Sequence, residues 1–146
     1  MVDIAQQAAI HPAPAADATT ARVPLTAIDP GQWRALAQRA IEPNGYYLPG
    51  WELAVSATAR GRTDASALPA FDGPSTRLIG LMPVIPLWRS FKIPLPALVS
   101  AHPYGTLCSP LIDRDAPIEA ATRLLQQARE AGAHALVLND VALDGL

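Results

Sequence analysis

The sequence predicts an α/β fold: a mixed β-sheet flanked by helices. Three observations carry this expectation. Residues 30–41 and 117–131 place apolar side chains at helical spacing, each behind a helix-start signal. Residues 78–88 and 134–141 are short apolar runs rich in strand formers, the pattern of buried strands. Helical and extended segments alternate along the chain instead of segregating, as they do when helices are layered on a sheet.

The first 22 residues, "MVDIAQQAAIHPAPAADATTAR", are rich in Ala, Pro and Thr and have no basic region ahead of an apolar run. That composition predicts a disordered leader and not a signal peptide. "RVPLTAI" is loosely strand-like and predicts a short first strand ending at Asp29-Pro30. Asp29 can cap free N–H groups, while Pro30 takes the first helical position, where no donor is missed. Trp33, Leu36, Ala37, Ala40 and Ile41 then fall on one face, opposite Gln32, Arg34 and Arg39, and Pro43-Asn44-Gly45 closes the helix.

A second helix is expected over 50–59, with Trp51, Ala54, Val55 and Thr58 turned inward. Turn formers and charge in 60–75 read as an exposed loop or an irregular hairpin. In "TRLIGLMPVIPLW", Pro83 and Pro86 cannot donate to a ladder, so this strand is expected at a sheet edge or broken midway. Extended pieces over 97–101 and 105–112 flank His102-Pro103-Tyr104. Asp113 or Asp115 is expected to cap a helix over 117–131, with Ile118, Ala121, Leu124, Leu125 and Ala128 as its apolar stripe and Gly132 as its stop. "HALVLNDV" reads as a strand buried on both faces, and the turn signal Asp144-Gly145 leads to the expectation of a continuation beyond Leu146.

Composition removes several functions. Charged residues make up 16% of the 146-residue chain, against a usual share of about 25%. A net charge of −2 with dispersed arginines supplies no field for a phosphate backbone, so no nucleic-acid partner is expected. The longest apolar run falls short of the about 20 residues that span a bilayer, so no membrane span is expected. One cysteine excludes an internal disulfide and fits a reducing, cytoplasmic setting.

No complete catalytic constellation is present. The histidines at 11, 102 and 134 are too dispersed for a metal site. His102 and Cys108 could be posed as base and nucleophile, yet six extended residues separate them by roughly 20 Å and no orienting third group follows, so Cys108 is expected in the core. "REAGAH" imitates a pyrophosphate loop, but it ends a helix, and phosphates bind where N–H groups point outward at a helix start.

Two stretches remain, "EPNGYYLPGW" and "SAHPYGTLCSPL". In one reading the first is an interhelical turn with buried aromatic anchors and the second a strand interrupted at His-Pro. In the other, Asn44, Tyr46 and Tyr47 line a ligand cleft, with His102 and Tyr104 at its mouth.

Together, "WRALAQRAIEPNGYYLPGW", "LIGLMPVIP", "HPYGTLCSPLIDRD" and "ALVLNDVALDG" resemble the N-terminal half of bacterial GNAT-type acetyltransferases of the cellulose-biosynthesis-associated family. The resemblance covers residues 23–146. It implies a GNAT-like N-terminal subdomain, incomplete by itself, with a C-terminal acyl-CoA-binding subdomain as its partner. Acetyl-CoA would be the co-substrate of the full-length family member and would not be bound by this chain. The reaction implied is acyl transfer to an amine or a sugar hydroxyl, with Asn44, Tyr46, Tyr47, His102 and Tyr104 on the acceptor side. An exposed sheet edge would also favour self-association. The competing readings are a non-catalytic binding or scaffold module from a truncated or split gene, and a small hydrolase using Cys108 or Ser109.

Overall fold

The computed structural model describes residues 21–58, 65–73, 76–101 and 104–142. The expected leader up to residue 20, and His102, lie outside the described residues. The fold is α/β, with a mixed sheet and helices packed on it.

The first strand, β1, is only Val23–Pro24, and a 3-10 turn over Leu25–Ala27 replaces the rest of the expected strand. Helix α1 (Pro30–Arg39) starts as its sequence dictates, with Asp29 Oδ1 accepting from the Gln32 N–H at 2.7 Å. It buries Trp33 and Leu36 and stops at Arg39, which leaves Ile41 outside the helix on the surface. After a second 3-10 turn (Gly45–Tyr47) comes α2 (Pro49–Thr58). Its buried side is Pro49, Glu52 and Val55, so the inward face is rotated from the expected one and Trp51 and Thr58 are exposed.

The stretch expected as an exposed loop or an irregular hairpin contains a strand, β2 (Ser66–Phe71), with Ala67, Leu68 and Ala70 buried. β1 pairs only Ser66 and Ala67, so the outer side of β2 is uncovered at Pro69, where a missing donor is tolerated. β3 (Leu78–Pro86) is central, not at an edge: β2 pairs along one side, and β4 (Ala97–Ser100) and β5 (Leu111–Ile112) share the other. β5 covers Gly80 and Leu81, whereas β4 covers Val84 to Pro86. The Pro83 carbonyl accepts from Ala101 N–H at 2.9 Å, so its donor-less nitrogen faces the seam between those two strands. Pro86 ends the strand and begins the short helix α3 (Leu87–Phe91).

Helix α4 (Pro117–Glu130) crosses from β4 to β6 (Ala135–Val137), which runs parallel to β4, giving the order β1-β2-β3-β4-β6. Neither Asp113 nor Asp115 caps α4; its N-cap is Ala116, without a side-chain bond. The buried line is Ala120, Leu124 and Ala128, while Ile118 is 81% exposed and Leu125 is 60% exposed. Gly80 explains the narrow stripe: a Cβ there would lie 3.0 Å from Ala70 Cβ and 3.3 Å from Leu124 Cγ. The helix approaches the sheet so closely that only small residues and one leucine fit between them. Gly132, at φ +81°, ends α4 in a Schellman arrangement, with Ala133 N–H donating to the Ala128 carbonyl and Gly132 N–H to that of Arg129.

The expected doubly buried strand over 134–141 shrinks to three exposed or half-buried residues with one partner strand. One core cluster lies under α1 and includes Leu25, Trp33, Leu36, Tyr47, Leu81 and Cys108; another lies under α4. Among the described residues no helix is long and apolar enough to cross a membrane.

Candidate functional site

The stretch "EPNGYYLPGW" is built around Asn44. This residue is buried and extended, and its Oδ1 accepts from Tyr46 N–H at 3.0 Å, which starts the 3-10 turn. Its Nδ2 donates to the carbonyls of Leu107, at 3.2 Å, and Ser109, at 2.9 Å. One amide therefore staples the turn to a segment more than sixty residues away. The turn drives Tyr47 into the core, where its carbonyl accepts from Trp33 Nε1–H at 2.7 Å. Tyr46 stays at the rim and meets Trp51 edge-on, with ring centroids 5.8 Å apart.

Asn44, Tyr46 and Tyr47 are thus brought together, with Asn44 and Tyr47 as structural anchors and Tyr46 at the surface. Tyr104 is 62% exposed, and among the described residues no hydrogen bond or ring contact joins it to them.

Beneath the turn lies a polar pocket that the sequence reading missed. Glu52 projects from α2 into the core, only 2% exposed, and its Oε2 accepts no hydrogen bond among the described residues. Burial pushes this carboxyl up to about 7. Tyr47 and Cys108 are its titratable neighbours; burial pushes both up first, and the Glu52 charge adds to each. Ser100 and Tyr47 lie beside the Cys108 thiol and favour its ionisation, but less than burial opposes it, and Asp140 opposes it further. The segment after β6 closes the pocket: Cys108 N–H donates to the Asp140 carbonyl at 2.9 Å, and Asn139 N–H donates to Ser100 Oγ at 3.0 Å. Cys108 is buried as expected, and its surroundings hold it as a thiol instead of activating a thiolate. The signal for Glu52 was present: it lies three residues from both Pro49 and Val55, a lone acid on an apolar helical line.

Asp113 forms a different centre. Burial pushes its carboxyl up, but Asp115 N–H, Arg39 and Arg77 outweigh that effect and hold it below the usual carboxylate range. A cleft of about 230 Å³ opens beside it, lined by Gln32, Ala35, Arg39, Thr76, Arg77 and Leu78. Arg39 already serves Asp113 and the carbonyls of Ala35 and Leu78, so this centre is structural.

Neither the start of α4 nor "REAGAH" offers a pyrophosphate the outward N–H groups it needs. At the start of α4, Pro117 removes an N–H, and Asp115 and Glu119 repel an anion. At "REAGAH", the N–H groups of Gly132 and Ala133 are already donated to helix carbonyls. Among the described residues no group of three or more His, Cys, Asp or Glu is placed to hold a metal ion.

Comparison with family models, with curated proteins and with solved structures finds no match to this chain.

Proposed function

We propose that this chain is the acceptor-side half of a GNAT-type acyltransferase, moving an acetyl or acyl group from acyl-CoA to an amine or a sugar hydroxyl. The observation that carries the reading is the sheet: antiparallel strands β1 to β4, then a helical crossover to β6, parallel to β4. Among the described residues the sheet ends on β6, paired on one side, beside a groove of about 660 Å³ lined in part by Leu125, Arg129, His134 and Leu136. A second, acyl-CoA-binding subdomain is the partner the resemblance implies.

In this reading Tyr46 and Trp51 form the acceptor wall, which Asn44 and Tyr47 hold in place. The acceptor's lone pair attacks the thioester carbonyl, the carbon–sulfur bond breaks, and coenzyme A leaves as its thiol with the acceptor's proton. A second reading, a binding or scaffold module, is favoured by the exposed apolar side chains Trp88, Phe91, Ile93 and Leu95 at and after α3.

Acetyl-CoA melting curves separate the two. Ligand that binds only the folded form raises the melting temperature by mass action. The acyltransferase reading predicts a rise for the protein isolated from its own cells and none for the 146-residue chain. No rise in either preparation would favour the binding module, and a rise in the short chain would contradict the division of labour.

A further inference from the structure

Glu52 lies where an ionised carboxylate has no compensation. Its side chain is almost wholly buried and burial is the cause acting on its ionisation, and among the described residues its Oε2 accepts no hydrogen bond and no cation offsets its charge. Among the described residues the titratable groups facing the Glu52 pocket are Tyr47 from the 3-10 turn, Cys108 from the segment before β5 and Asp140 from the segment after β6, and none of them carries a positive charge. From α1 the same core receives Trp33, Leu36 and Ala37, which do not titrate. An isolated charge in such a place is expelled or neutralised.

The helix that carries Glu52 is thinly seated. Only Pro49, Glu52 and Val55 of α2 are buried, Trp51 and Thr58 are exposed, and the Thr58 hydroxyl bonds within the helix, to the Ala54 carbonyl. Leu53 packs half-buried against the core that holds Tyr47 and Cys108, so one of four seating side chains is an acid.

We propose that Glu52 is a proton-operated latch: protonated, it seats α2 over Tyr47 and Cys108, and when it loses its proton to solvent the helix lifts and opens the Cys108 thiol. Burial pushes the carboxyl up to about 7, which puts the latch in the neutral range. Local opening of a weakly packed helix is an ordinary native-state event, and the proton adds control over it.

Cys108 is the sole cysteine, so a maleimide reports on one site. Its reaction rate is measured on the whole chain from about pH 5 to 8.5. Thiolate formation alone raises the rate about tenfold per pH unit. With the latch, opening contributes a further factor of about ten per unit until Glu52 is ionised. The expected profile therefore climbs about a hundredfold per unit below neutrality and about tenfold above it, and Glu52→Gln climbs about tenfold throughout. Identical single slopes for the two proteins would overturn the latch. Should Glu52→Gln not fold, amide exchange on the unmutated chain decides: α2 amides must gain a pH-dependent opening that α4 amides lack, and equal behaviour of both helices would overturn the proposal.

Discussion

Arg39 Nε and Asp113 Oδ2 meet at 3.1 Å across 74 residues of sequence, tying the end of α1 to the strand that β5 adds against β3. The backbone repeats the tie: Ile41 N–H donates to the Ile112 carbonyl at 2.9 Å, and Arg114 N–H donates to that of Arg39 at 3.0 Å. Asp113 is fully buried, while the Arg39 side chain keeps 29% of its exposure, so the acid is the member that cannot be orphaned.

Asp113→Asn is expected to destabilise the protein by about 3 kcal/mol, the lower end for breaking a buried pair, because Arg39 can still reach water. The folded-state acid is held below its ordinary range, so its contribution is complete above about pH 4 and is lost as pH falls further. Urea unfolding of both proteins at neutral and acidic pH checks this, with the two curves converging on acidification.

Asn44→Asp tests the staple. The new side chain would turn a carboxylate oxygen toward the carbonyls of Leu107 and Ser109 in place of an N–H donor. A loss of about 3 kcal/mol is expected, greater than for Asn44→Ala, where two buried carbonyls lose their donor and about 2 kcal/mol goes. Chemical denaturation ranks the pair.

Glu52→Gln tests the buried acid through global stability. A carboxyl raised to about 7 when folded gives stability that is full below its ordinary value of 4.5 and is lost as pH rises through about 7. The loss amounts to about 3 kcal/mol. Wild-type melting temperature should therefore fall between pH 5 and 8 by more than that of Glu52→Gln, as scanning calorimetry would record.

Gly80→Val should cost about 3 kcal/mol, because its side chain must displace Ala70, Leu124 and Ala120 at once. Gly132→Ala, in open space at φ +81°, should cost only about 1 kcal/mol.

Local signals carried much of this fold. Asp29-Pro30 and Gly132 mark helix ends through one or two short-range hydrogen bonds that neighbouring residues decide, and both work as their chemistry predicts. What failed depended on distant partners. Pro83 is tolerated in a central strand because its nitrogen meets a seam between two other strands. The face of α4 is chosen by Gly80, and Asp113 by Arg39, so neither can be read from spacing within the helix. For the candidate site, Asn44, Tyr46 and Tyr47 cluster in space as they do in sequence, whereas the inward turn of Glu52 follows from the exit of Trp51 toward Tyr46, and its place on an apolar helical line was the local sign of it.

The acyltransferase account is tested most directly by measuring release of the coenzyme A thiol by the protein isolated from its own cells, with acetyl-CoA and a panel of amine and sugar acceptors. The account predicts acceptor-dependent release that saturates with acetyl-CoA, and a raised KM when Tyr46 is replaced by Phe. No acceptor-dependent release by a folded protein would contradict it.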